Sequence, residues 1–215
     1  MEILRSDGGK YKITDLKPAV RNERRVNVFL DGEFSFSLDV AQVVEFKLKR
    51  GMMLSEMELR KLRKASNFGK LYQRTLEWVL MRPRSVRETG DYLRKKKYQR
   101  PEYEISDEDI GAVIGRLVSK GYLDDAQFAR YYVENRFVKK GVAKKRLMME
   151  LREKGVAEDL IVMAFDEVGR NDREEIMKII AKKRRRYDTD EKLIAYLVRQ
   201  GFDFELARSS VCEMD

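Results

Sequence analysis

One pattern occurs three times in this chain and constrains it more than any other feature. Leu93, Leu151 and Leu197 each follow a helix start by eight residues, at Ser85, Ala143 and Thr189. Four residues before each leucine stands Thr89, Leu147 or Leu193, one turn away on the same face. Five residues after each comes Tyr98, Val156 or Phe202. Gly155 and Gly201 stand just before that residue in the second and third copies, as C-terminal helix stops do, whereas the first copy has Lys97. A second stripe follows at spacing 0, 3, 4, 7. It reads Ile110, Val113, Ile114 and Leu117; then Ile161, Ala164, Phe165 and Val168; then Ala207, Ser210, Val211 and Met214. That spacing is one face of a helix. Each unit opens with a further helix, near 68–82, 125–139 and 172–186. The fold class is therefore mainly α, with three tandem three-helix repeats at 67–123, 124–168 and 169–215. Units this small bury little alone, so they stack into an elongated, curved body. The first carries an insertion around 99–106 that contains Pro101.

Residues 1–66 read as a small β-hairpin and helix module. Val26, Val28 and Leu30 alternate with Asn27 and Phe29; Asp31-Gly32 follows; then Phe34, Phe36 and Leu38 alternate with serines. Asp-Gly between two period-two runs signals a type I′ hairpin, which needs positive φ at both central residues. Lys12–Leu16 adds a third strand. A short helix over Val40–Leu48 ends at Gly51, and Ser55-x-x-Glu58 is a capping box for a helix running towards Phe68.

Two absences limit the chemistry. The chain has no histidine, which removes imidazole bases and His-ligated metals. Its one cysteine, Cys212, forms no internal disulfide, and a reducing cytoplasm suits it. Met1 to Lys12 holds no apolar core of signal-peptide length, and no run is long enough for a membrane span. The paired carboxylates Asp124-Asp125, Ser106-Asp107-Glu108-Asp109 and Thr189-Asp190-Glu191 all fall at helix starts, where they cap free N–H groups. No phosphate loop is present. The chain is read as a non-enzyme without cofactor or metal.

The net charge of +9 speaks of partners. Cations cluster at Arg82 and Arg84; at Arg94, Lys95, Lys96 and Lys97; at Lys139 and Lys140; at Lys144, Lys145 and Arg146; and at Lys182 to Arg186. Helix C-termini favour cations, and solvated faces account for any single cluster. Five consecutive cations exceed what capping needs, and their recurrence suggests a continuous anion-binding surface. Tyr131, Tyr132 and Phe137 interleave with Arg130, Arg136 and Lys139, at a spacing that reads as core before base stacking. Met148-Met149 cannot both face the core, which leaves one for an adaptable contact.

Arg82-Pro83-Arg84-Ser85, then Gly121-Tyr122-Leu123-Asp124-Asp125-x-x-Phe128-Ala129-Arg130, then Lys140-Gly141, Arg146 and Leu151-Arg152-x-Lys154-Gly155 resemble the RecX regulatory family over roughly residues 70–215. Gly121, Leu123, Asp124, Asp125, Phe128, Ala129 and Gly155 are the motif's structural positions. The N-terminal module is similar to the extension of longer members. The resemblance implies a modulator of the RecA recombinase. Such a modulator lies in the groove of the RecA filament on single-stranded DNA and reduces ATP hydrolysis, strand exchange and co-protease activity. Some members bind DNA directly. The residues themselves also admit a general DNA-binding module of helix-turn-helix type, and less readily an enzyme of DNA metabolism.

The repeat register sorts the cations further. With Leu147 and Leu151 inward, Lys145, Met149 and Arg152 point outward. The same register turns out Arg87, Asp91 and Arg94 in the first repeat, with Arg87 and Asp91 spaced to pair. In the third it turns out Glu191, Ala195 and Val198, so that repeat relies on Lys182, Arg185 and Arg186 of its preceding helix.

Overall fold

Asp31 and Gly32 take φ of 49° and 94°, the two positive values that a type I′ turn requires. The structure is a computed structural model that describes residues 10–20, 22–99 and 105–213. Residues 1–9, most of the 99–106 insertion and Met214 lie outside them. Two units divide the chain: residues up to Trp78 with Lys96–Val113, and Val79–Lys95 with the residues from Ile114 onward. Among the described residues are ten α-helices and four strands, so the protein is mainly α with a small N-terminal antiparallel sheet.

In the first unit, β1 (Tyr11–Ala19), β2 (Asn22–Leu30) and β3 (Glu33–Asp39) form a meander. A two-residue strand, β4 (Met53–Leu54), pairs with Tyr11 and Lys12, giving the order β3-β2-β1-β4. Helix α1 (Val40–Glu45) opens on an Asp39/Gln42 capping box. It ends short of the expected Leu48, because Lys47 turns out of the helix with φ 51°. The core gathers Ile13, Val28, Leu30, Phe36 and Leu38 from the sheet with Leu48, Leu54, Leu59 and Leu62.

Helix α2 (Glu56–Leu80) starts at the expected box, where the Ser55 and Glu58 side chains each accept the other's backbone N–H. Contrary to the expected break near 66–68, it continues for 25 residues. At Gly69 the Gln42 side chain lies 3.2 Å from where a Cβ would stand. Gln42 Nε2 donates to the Ala65 carbonyl, and Ser66 Oγ donates to that of Ser37, which pins α2 beneath the sheet.

Helix α3 (Val86–Gln99) starts at Ser85, whose hydroxyl accepts from Glu88 N–H at 3.0 Å. Without a glycine at 97 it runs through Lys97. Helix α4 (Asp107–Ser119) follows, with Ser106 and Asp109 as its capping box. The rest of the second unit is α5 (Asp125–Asn135), α6 (Lys144–Glu153), α7 (Glu158–Val168), α8 (Asp172–Lys183), α9 (Asp190–Arg199) and α10 (Phe204–Cys212). Helix α5 stops four residues before the expected 139. Helix α8 stops at Lys183 and tightens into a 3-10 turn over Arg184–Arg186.

Phe128, Leu147, Leu151, Ile161 and Phe165 make one apolar cluster; Ile176, Ile180, Leu193, Leu197, Phe202 and Val211 make another. Each fully buried leucine contributes roughly 2 kcal/mol. The same contact joins successive helical segments twice. Asp125, first in α5, accepts the Val86 N–H at 2.9 Å; Asp172, first in α8, accepts the Lys144 N–H at 2.6 Å. The glycine ending α6, Gly155, lies against the Arg87 stem, and Gly201 after α9 lies against Ala143.

Candidate functional site

The register of α6 holds as expected. Leu147 and Leu151 are fully buried, while Lys145, Met149 and Arg152 are exposed; Met148 packs on the core instead. Arg87, Asp91 and Arg94 on α3, and Glu191, Ala195 and Val198 on α9, are exposed likewise. Several candidate cations are nonetheless engaged internally. Asp91 pairs with Arg94 at 3.0 Å and not with Arg87, whose stem is used against Gly155. Arg152 grips Glu158 with two bonds, of 2.7 and 2.6 Å. Arg82 and Lys154 both pair with Glu88, and Ser85 Oγ donates to the Lys154 carbonyl. Arg84 is half-buried beside them. Arg130 pairs with Glu167 at 3.1 Å. Lys95 is exposed and Lys96 is half-buried on the last turns of α3.

The motif residues make packing, capping and turn contacts. Gly121 closes α4 at φ 72°; Leu123, Phe128 and Ala129 are buried; Asp124 caps α5; Asp125 and Gly155 make the contacts described above.

One place gathers cations from separate segments. The loop after α5 folds back on α8, and Lys182 Nζ donates to the Lys139 carbonyl. Lys140, Arg146, Lys182 and Lys183 thereby surround a groove of about 250 Å³, with Phe137 and Tyr196 in its walls and Val142 and Ile179 in its lining. Lys144 and Lys145 are exposed at the nearby start of α6, and Arg185 and Arg186 are exposed just beyond the end of α8. Phe137 packs on the first apolar cluster as a partly buried side chain, the core role its spacing predicts, and Tyr196 packs likewise on the second; both also line the groove.

The loop is held firmly. Gly141 has φ 77°, and a Cβ there would stand 2.6 Å from the Glu175 carbonyl. The Glu175 carboxylate is 1% exposed. It accepts from Arg170 at 2.9 and 2.8 Å, from Lys178 at 2.6 Å and from the Val142 N–H at 3.0 Å. Arg170 also donates to the Val133 and Arg136 carbonyls. Burial pushes the Glu175 carboxyl up, but the Arg170 and Lys178 bonds outweigh it and hold the group below the ordinary range.

A second carboxylate orders the groove's rim. Glu150 accepts from the Tyr132 hydroxyl at 2.5 Å and from Arg136 at 3.0 Å, and pairs with Arg146 at 3.4 Å. Those bonds overcome its burial and keep it below the ordinary glutamate range. Burial, then the bond to Glu150, drives the Tyr132 hydroxyl well up. The Arg136 guanidinium lies 3.8 Å from the Phe137 ring centre. Lys183 lies 4.2 Å from that of Tyr196, and donates to its hydroxyl at 2.6 Å.

No helix among the described residues is long and apolar enough to cross a membrane. Residues 11–55 match the regulatory protein RecX N-terminal domain, and residues 124–164 match the second three-helix domain of RecX. The regulatory protein RecX of Bacillus licheniformis is 30% identical over 210 residues, covering 94% of this chain and 77% of the relative. That of Bacillus velezensis is 31% identical over 207 residues, covering 93% and 76%. A crystal structure of regulatory protein RecX shares the fold, with a TM-score of 0.69 at 21% identity over 91% of this chain and 96% of the other. With that identity along nearly the whole chain, both domain matches and the shared fold, the chain belongs to the RecX family of regulatory proteins.

Proposed function

We propose that this protein binds the RecA recombinase and its filament on single-stranded DNA. It holds down the filament's ATP hydrolysis, strand exchange and co-protease activity by occupying a surface, with no turnover of its own. Family membership supports the regulatory part of this reading. The observation that carries the choice of an anionic, DNA-containing partner is the gathering of Lys140, Arg146, Lys182 and Lys183, from two separate segments of the sequence, around one groove. Cations converging from separate segments raise the local potential more than solubility requires. On this reading the protein works in the cytoplasm, where Cys212 stays reduced.

The test is RecA ATPase on single-stranded DNA, titrated with this protein. ATP hydrolysis should fall to a low plateau, and the protein should bind filaments more tightly than bare DNA. An unchanged rate at concentrations that saturate bare DNA would refute the proposal and leave a general DNA-binding module. Nuclease or ATPase activity that disappears on a single carboxylate substitution would refute the non-catalytic part.

A further inference from the structure

The groove between the α5–α6 loop and α8 has more in it than charge. Its lining is apolar at Val142 and Ile179, its walls are the rings of Phe137 and Tyr196, and cations stand around its mouth. An acidic peptide would answer the cations and leave the rings unused. A duplex would answer them too, but its bases are stacked away. We infer that this groove seats one unstacked base of a single-stranded nucleic acid, with the adjoining phosphates on Lys140 and Lys182. The choice of a nucleic acid rests on the DNA-filament reading above; the seat rests on the groove's own geometry.

Three observations carry the inference. The first is backbone strain. Phe137 has φ 52°, a conformation that a bulky side chain adopts rarely and at a cost. In this conformation the ring both packs against the core and lines the groove. The second is bracing. The Arg170–Glu175 pair directs its bonds to the loop's own backbone, at the Arg136 carbonyl and the Val142 N–H, so the strained shape is fixed before any ligand arrives. The third is π contact already present. The Arg136 guanidinium lies over Phe137 at 3.8 Å, and the Tyr196 ring packs on that of Tyr187 at 5.5 Å, with the Lys183 ammonium on its hydroxyl. A base is a flat π system that extends such layers, as aromatic and arginine platforms do for unpaired bases. At about 250 Å³ the groove has room for one ring system, below the usual size of a drug-sized pocket.

The experiment titrates the whole protein, without recombinase, into a short single strand carrying one 2-aminopurine. Its result is therefore independent of the filament reading. Binding should change the 2-aminopurine fluorescence. Tyr196→Leu keeps apolar bulk and removes the ring; it should weaken binding about tenfold with the salt slope unchanged. Lys182→Gln should lower the slope by about 0.7 and leave the fluorescence change in place. Circular dichroism confirms that each variant is folded, and Phe137→Leu provides a second ring deletion should Tyr196→Leu unfold. Binding by the folded ring variants within about twofold of wild type would overturn the inference. So would equal affinity for the matching duplex, full displacement by polyglutamate, or binding of free dAMP as tight as the strand.

Discussion

Glu175→Ala tests how the α5–α6 loop is held. The wild-type carboxylate is 1% exposed and takes four donors: two from Arg170, one from Lys178 and the Val142 N–H. Removing it frees Lys178 to reach water, since that side chain is 36% exposed. It leaves the Arg170 guanidinium, 7% exposed, with only the Val133 and Arg136 carbonyls. It also leaves the Val142 N–H buried with no acceptor, which alone costs about 1–3 kcal/mol. Breaking one side of a buried pair costs about 3–5 kcal/mol. That figure already includes the Val142 N–H, and the two remaining carbonyl bonds to Arg170 put the loss near its lower end, about 3 kcal/mol, or a fall of about 10 °C in Tm. Urea denaturation followed by circular dichroism reads the loss, and hydrogen exchange at Val142 locates it. The paired replacement Arg170→Met with Glu175→Leu should recover only the part due to the unanswered charge, because the Val142 N–H still lacks its acceptor. A Glu175→Ala protein within about 1 kcal/mol of wild type, or singles that simply add in the double-mutant cycle, would refute this account.

Acid should undo the same contacts. Glu175 and Glu150 sit below the ordinary glutamate range, so their stabilisation is full above about pH 4.5 and is lost as pH falls through the depressed values. A Glu175→Gln protein should therefore show a flatter decline of stability in that acid window, measured by urea unfolding at stepped pH. Gly141→Ala should cost about 3 kcal/mol, from left-handed backbone strain plus a Cβ 2.6 Å from the Glu175 carbonyl. Gly121→Ala, with φ 72° and open space around it, should cost about 1 kcal/mol. Equal losses in urea would mean that the loop does not press on α8. Reversing Arg94, Lys145 and Arg152 together should weaken filament inhibition strongly, with a deficit that shrinks as salt rises. Lys145 should carry most of it, since Arg94 and Arg152 are paired with Asp91 and Glu158. Glu191→Lys should leave inhibition unchanged or slightly stronger, and a triple variant equal to wild type would put the working surface elsewhere.

What the sequence made legible is what neighbouring residues settle among themselves. The Asp31-Gly32 turn, the Ser55/Glu58 box, the Ser85 start and the stops at Gly155 and Gly201 each need only a few consecutive residues. The inward stripes through Leu147 and Leu151 follow from periodicity alone. The misses are set from far away. Strand β4 exists because Tyr11 and Lys12 lie beside Met53 and Leu54. Helix α2 runs on past Phe68, held by the Gln42 and Ser66 side chains to carbonyls of residues more than twenty positions away. Helix α5 stops early at an extended Arg136, and the chain beyond it brings Gly141 against the Glu175 carbonyl of α8.

The same distinction governs the candidate site. A run of Lys and Arg announces charge, but not whether that charge faces a partner or an internal carboxylate. Arg82 and Arg152 looked like Lys140 and Lys145, yet Glu88 and Glu158 hold the first two. The answering acids stand six residues away in both cases, within local reach along the chain. Nothing comparable reveals the groove. Lys139 and Lys182 meet across 43 residues, and Phe137 and Tyr196 each sit at spacings that read as core. What sets them apart is a conformation: Phe137 leaves the helical region at a cost, and a buried ion pair holds it there. A loop that served only to connect α5 to α6 would need neither the strain nor the brace. Their coincidence on one aromatic side chain, among four cations, is the reason to look for a ligand at that groove before any other surface of the chain.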